Sequence, residues 1–168
     1  MRTIEKESPT HHGQGGGIER STYPTRPRNR LGRYGPVILW AGIIFIASTG
    51  LGSSSNTGTI LHWLFPHLSE ATLGSIHFLI RKSAHFTGYF IFALLAARAF
   101  RTSTREFLSS HWFLASLLLV VAYSLSDEFH QSFVPSRTAS IYDSMIDSFG
   151  GLTALVVLLA FRRRRRPF

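Results

Sequence analysis

The chain alternates long apolar stretches with short polar ones. From Tyr34 to about Leu51 it runs without a charge (YGPVILWAGIIFIASTGL), and further apolar stretches follow from Ser83 to Phe100, His111 to Ser126 and Ser144 to Phe161. As helices at ~1.5 Å per residue, stretches of about 16 to 18 residues reach roughly 24 to 27 Å, a little short of a ~30 Å hydrocarbon core. Each therefore needs an extra turn or more. The second can begin near His77, the third can continue through Asp127 to His130, and the fourth can begin near Ile141, which makes several polar residues the outer turns of membrane helices. A soluble four-helix bundle would need a polar face on every helix, and LASLLLVVAY (Leu114 to Tyr123) and LTALVVLLAF (Leu152 to Phe161) have none. The pattern predicts an all-α fold, an integral membrane bundle of four transmembrane helices.

The segments outside the spans differ in kind. Residues 1 to 33 combine the early acids Glu5, Glu7 and Glu19 with a Gly-rich patch and arginines among prolines. Such a composition buries too little apolar surface to offset its ordering entropy, so a disordered basic tail is expected, with His11 and His12 solvated. The basic region is too long, and the apolar run that follows too long and without a clean Ala-x-Ala site, for a signal peptide; an uncleaved first span is expected. Residues 52 to 80 read as a Ser/Thr/Gly-rich loop, partly helical, with an aromatic patch at Trp63 and Phe65 suited to a membrane interface. The expected organisation is a tail over 1–33, the four-helix domain over 34–161 and a basic C-terminal tail over 162–168.

Composition sharpens this. Only 16% of residues are charged against 45% hydrophobic, yet Lys and Arg outnumber Asp and Glu by 18 to 9, so charge and apolar mass are segregated along the chain. With four spans, seven cations precede the first, three (Arg98, Arg101, Arg105) lie between the second and third, and five (Arg162 to Arg166) follow the fourth. Only Arg81, Lys82 and Arg137 fall on the other side. The positive-inside rule then places both termini in the cytoplasm, giving a multi-pass protein of the cell inner membrane. The basic tails suit anionic lipid headgroups. Nothing resembling a nucleic-acid recognition fold accompanies the arginines, so no nucleic-acid partner is expected. The absence of cysteine excludes disulfides, thiolate metal sites and a cysteine nucleophile.

The cations on the outer side have company. Arg81, Lys82 and His85 open span two, Asp127, Glu128, His130 and Gln131 close span three, Arg137 lies in the next loop, and Asp143 and Asp147 open span four. Lys82, His85 and Tyr89 share a helix face, Ser124, Asp127 or Glu128, and Gln131 form a polar stripe, and Asp143 and Asp147 share a face with the Gly150–Gly151 pair. A charge within the bilayer costs ~2.5 to 3.5 kcal/mol on insertion scales, so these groups should point into the bundle and pair, cations of span two against carboxylates of spans three and four. The two glycines leave room for a close helix contact. Trp40, Trp112 and Tyr34 read as interface anchors.

The strings RKSAHFTGYFIFALL (Arg81 to Leu95), SDEFHQSFVPSR (Ser126 to Arg137) and YDSMIDSFGG (Tyr142 to Gly151) resemble the VanZ-like family of bacterial membrane proteins. The similarity covers roughly Ile38 to Leu159. Its carriers are a Lys-x-x-His pair (Lys82, His85) followed by Tyr89, an Asp-Glu-x-x-Gln run (Asp127, Glu128, Gln131), Arg137, and Asp143 with Asp147 four residues on, a position that is often Asn in the family. The resemblance implies a cell-envelope protein linked by its family name to resistance to the glycopeptide antibiotic teicoplanin. It implies no agreed biochemical activity.

Three readings of the polar groups follow. The first is an outer-side pocket recognising an anionic lipid-linked envelope precursor or a glycopeptide, with Arg81, Lys82, His85 and Arg137 facing phosphate or carboxylate and the acids holding them. The second is a hydrolase or transferase on a lipid phosphate, with His85 or His130 oriented by Asp127 or Glu128. A metal version would use His85, His130, Asp127 and Glu128, but the Asp-Glu-x-His spacing is a weak signal, and no metal or cofactor is expected. The third is a polar lock that fixes helix register without a ligand. Oligomeric state is unreadable from the sequence.

Overall fold

The structure, a computed structural model, describes residues 29–49, 54–134 and 140–164. All regular structure among these residues is helical: α1 (Arg30–Ser48), α2 (Ser54–Leu64), α3 (Glu70–Arg101), α4 (Glu106–Ser110), α5 (Trp112–Gln131) and α6 (Ile141–Arg164). The expectations placed on residues 1 to 28, on Arg137 and on the end of the C-terminal tail lie outside the described residues.

α1, α3, α5 and α6 pack up-down-up-down. Side-chain pairings along the helices set the directions. Trp40 bonds the Gly88 carbonyl at 2.9 Å and Tyr34 reaches Ser103 at 3.2 Å, so α1 and α3 are antiparallel. Tyr123 donates to Ala41 at 2.6 Å and Ser48 to Asp127 at 2.7 Å, so α1 and α5 are parallel. Lys82 meets Asp143 and Phe86 meets Gly150, which makes α3 and α6 parallel. The chain thus enters and leaves the bundle at the same end. At that end Arg98 donates to the Gly32 carbonyl at 3.3 Å, while Arg101 and Arg162 both lie over the Trp112 ring. The acids Asp127, Glu128, Asp143 and Asp147 and the cations Arg81 and Lys82 gather at the opposite end.

Local chemistry explains the element boundaries. Pro36 sits inside α1 and has no N–H for the carbonyl four residues back, which is that of Gly32. Arg98 of α3 takes that carbonyl, so the lost bond is replaced between helices. α3 starts where the Ser69 side chain accepts from the Thr72 N–H at 3.3 Å, with Glu70 in the first turn. With no proline within it, α3 runs for 32 residues, about 48 Å. It is therefore longer than the apolar stretch within it: its first turns precede His77 and Ile80, which face α1, and α2 packs against α3. Most of the polar segment expected as a loop is thus helix. The short α4 was not expected either; it turns the chain between α3 and α5.

Small residues bring α3 to its neighbours. Ala93, Ala96, Ala97 and Ala99 are fully buried, around a core that includes Tyr89, Phe92, Val120, Ala154 and Leu155. On α6, a Cβ added at Gly150 would stand 2.5 Å from the Phe86 carbonyl oxygen, and one at Gly151 2.6 Å from Val120 Cγ1. The glycine pair is where two helices meet α6, one through backbone and one through a side chain. Large apolar side chains cover the outside instead: Ile38 and Leu39 on α1, Leu118 on α5 and Phe149 and Val156 on α6 are all more than half exposed.

By length and composition α1, α5 and α6 qualify as membrane spans. α3 does not separate as clearly, and the expected four apolar spans become three. Its positive and imidazole groups (Arg81, Lys82, His85, Arg98, Arg101) interrupt the apolar run in sequence, although in space several of them turn toward other helices. Trp40, expected at an interface, is tied inside the bundle to the Gly88 carbonyl.

Candidate functional site

The polar end of the bundle is built from four helices. Lys82 of α3 pairs with Asp143 of α6, and the Arg81 guanidinium reaches the same carboxylate at 3.6 Å and Gln131 Oε1 at 3.4 Å. One turn deeper, His85 Nδ1 faces Asp147 at 3.3 Å from Oδ1 and 3.5 Å from Oδ2. On α5, Asp127 takes its bonds from uncharged donors: Ser48 Oγ of α1 at 2.7 Å and Gln131 Nε2 at 3.1 Å, both on Oδ2. Glu128 accepts from the Ser140 backbone N–H at 2.7 Å and so ties the entry of α6 to α5. Ser124 and Ser144 link the same two helices below.

Of the residues singled out in the sequence, Arg81, Lys82, His85, Tyr89, Asp127, Gln131, Asp143 and Asp147 come together, with Glu128 at the margin. His130 points elsewhere. Its ring packs on Phe45 of α1, with centroids 4.4 Å apart, and its Nδ1 has no hydrogen-bond partner among the described residues. At ~100° per residue His130 lies about 60° from Asp127 and about 100° from Gln131, on the side of Asp127 away from Gln131, and there it meets α1. Ser48 was missed: a serine near the end of an apolar run gives no sign of reaching a carboxylate on another helix.

Between α1 and α3 lies a cavity of about 330 Å³. Trp40, Ile43 and Ile44 line it from α1 and Ile80, Ala84 and Gly88 from α3, and its polar groups are Ser48, His77, Arg81, His85 and the hydroxyl-bearing Tyr89. Most of the lining is apolar. Ile43, Ile80 and Ala84 are exposed at its rim, so it opens on the outer face of the bundle. Gly88 leaves it wide, because a Cβ there would only just touch Ile44. Arg81 Nε, although buried, has no hydrogen-bond partner among the described residues.

The VanZ/LLP1 family model matches residues 35–162. This chain is a VanZ/LLP1 protein. The matched segment contains α3 and α5 entire, α1 from Gly35 onward and α6 up to Arg162, so the cluster and the cavity both lie within the family domain. With its exposed apolar helices, this VanZ/LLP1 chain is a membrane protein with several candidate spans. No curated protein and no solved structure matches it.

Proposed function

We propose that this VanZ/LLP1 protein binds an anionic amphiphile, a lipid-linked phosphate of the cell envelope, in the cavity between α1 and α3. The observation that carries the reading is the cavity's polarity: an apolar trough that opens on the lipid-facing side and ends at Arg81, whose Nε–H is buried and has no partner among the described residues. A guanidinium fork suits phosphate, and an alkyl or prenyl tail suits Trp40, Ile43 and Ile44. In this reading α3 is the fourth span, with its charges turned inward, and both termini are cytoplasmic. Arg81 and the carboxylate cluster then face the outer leaflet, where envelope precursors are handled, and altered glycopeptide susceptibility is the expected consequence of binding one.

The reading is tested by equilibrium binding of a short-chain prenyl phosphate to the purified protein, with the uncharged prenyl alcohol and phosphatidylglycerol as separate arms. Saturable binding of the prenyl phosphate is expected, weakened about tenfold or more in Arg81→Ala and in the cavity-filling Ala84→Phe. Equal binding of the alcohol would remove the phosphate contact from the account. Preferential binding of phosphatidylglycerol would make the ligand a bulk lipid.

Topology has its own test. A periplasm-active reporter fused after Phe168 should be silent, and the same reporter inserted after Val134 should be active. Activity at Phe168 would place the carboxylate end of the bundle in the cytoplasm.

A polar lock is favoured by one observation, that Lys82–Asp143 and His85–Asp147 both join α3 to α6. The variants considered in the Discussion separate it from the binding reading.

A further inference from the structure

The carboxylates at the polar end outnumber the charges that face them. Asp127, Asp143 and Asp147 are each at least nine-tenths buried, as is Glu128. Among the described residues, the fixed cations on this group are Arg81 and Lys82, and both are directed at Asp143. Asp127 and Asp147 are left to His85 and to neutral donors. Two buried carboxylates with one imidazole between them are costly unless something positive joins them.

The geometry of these three residues departs from that of a simple ion pair. A charge-assisted N–H···O bond is ~2.7 to 2.9 Å long, whereas His85 Nδ1 stands 3.3 and 3.5 Å from the two oxygens of Asp147. Two ligands at about 2.1 Å from one tetrahedral cation are about 3.4 Å apart. One ring nitrogen of His85 and one oxygen each of Asp127 and Asp147 all lie within 4.8 Å of one another.

The second observation is the state of the oxygens. Asp127 Oδ2 is taken by Ser48 and Gln131, which orients the carboxylate, while Oδ1 is buried and makes no hydrogen bond of ordinary geometry among the described residues. Asp147 is fully buried, and among the described residues its Oδ1 likewise accepts no hydrogen bond and meets only the long approach of His85. The Tyr89 hydroxyl, 1% exposed, is buried beside both acids and approaches Asp127 without a hydrogen bond of ordinary geometry among the described residues. Buried oxygens are rarely left this way unless an ion or ordered water meets them.

We infer that His85, Asp127 and Asp147 form a binding site for one divalent cation of the zinc or manganese class. One nitrogen and two carboxylate oxygens match the ligand preferences of such ions, and the cation neutralises the two carboxylates. Ser48 and Gln131 orient Asp127 from behind, as outer hydrogen bonds do at metal centres. Three protein ligands leave coordination positions open, and His85 also lines the α1–α3 cavity, so an anionic group in the cavity can complete the shell. The site differs from the set the sequence offered: Asp147 replaces Glu128 and His130, which turn to Ser140 and Phe45. It also stands apart from the amphiphile reading, since the ion can bind whether or not the cavity takes a lipid.

The test uses the full-length protein in detergent, stripped with a chelator and then titrated separately with Zn²⁺, Mn²⁺ and Mg²⁺. The stripped protein should take up one equivalent of Zn²⁺ or Mn²⁺ at micromolar metal and gain thermal stability as it does so. Asp127→Asn and Asp147→Asn keep side-chain shape and should each weaken uptake by at least about a hundredfold, while a His11→Ala/His12→Ala chain should bind as wild type. X-ray absorption on the loaded wild-type protein needs no variant, and should show a light-atom shell with a single imidazole. Uptake that survives both Asn substitutions, a shell with two or more imidazoles or none, or no uptake by the stripped wild-type protein would each overturn the proposal.

Discussion

Gly150→Ala is expected to prevent normal assembly of the bundle. The added methyl would stand 2.5 Å from the Phe86 carbonyl oxygen and 3.2 Å from its carbonyl carbon, all main-chain atoms of α3 that no rotamer change can move. Relief requires α3 and α6 to separate, and that separation pulls Lys82 from Asp143 and His85 from Asp147 on the same interface. Overpacking alone costs about 1 to 3 kcal/mol, and loss of the polar contacts adds to it. Gly151→Ala should behave differently. Its nearest neighbour is Val120 Cγ1 at 2.6 Å, a side-chain atom, so Val120→Ala should restore most of what Gly151→Ala loses. Thermal unfolding and size-exclusion profiles in detergent check both, and a Gly150→Ala protein as stable as wild type would contradict the close approach of α3 and α6.

Asp143→Ala should be the most damaging change among the polar groups. It leaves Lys82 and Arg81 without their shared carboxylate, and breaking a buried pair from one side costs about 3 to 5 kcal/mol. The lower end is expected, because the Lys82 and Arg81 side chains are 20% and 25% exposed. Replacing Lys82 as well removes one of the two stranded charges and leaves Arg81 to Gln131, so Lys82→Met with Asp143→Leu should recover part of the lost stability. A lock predicts that this double variant also recovers function, measured as prenyl phosphate binding and glycopeptide susceptibility. The binding reading predicts a stable protein with weakened binding, because Arg81 loses the carboxylate that positions it.

How much of this was legible in the sequence follows from the physics of each feature. The helices of the bundle were, because unbroken apolar runs such as Leu114 to Tyr123 admit little else. The shared faces of Lys82, His85 and Tyr89 and of Asp143 and Asp147 were legible too, since they follow from helical periodicity alone. The glycine pair pointed to close packing, but not to which helix meets which glycine. Boundaries were less accessible: α3 begins at Glu70 because of the Ser69 cap, well before its apolar stretch. That stretch carries enough charge that its role as a span depends on where Arg81, Lys82 and His85 turn. The cavity had no signature, since it is a gap left by Ala84 and Gly88 opposite α1. The Ser48–Asp127 bond and the convergence of His85, Asp127 and Asp147 join positions far apart in sequence, and no local spacing encodes them.

The central claim is that the α1–α3 cavity holds the tail of an anionic amphiphile with its phosphate at Arg81. A photoreactive prenyl phosphate, cross-linked to the protein in nanodiscs and mapped by peptide mass spectrometry, tests it most directly. Labelling concentrated within Trp40–Ser48 and His77–Tyr89, competed by unlabelled prenyl phosphate and lost in Ala84→Phe, is the predicted result. Labelling spread over the exposed faces of α5 and α6, at positions such as Leu118 and Phe149, and insensitive to competitor would contradict it.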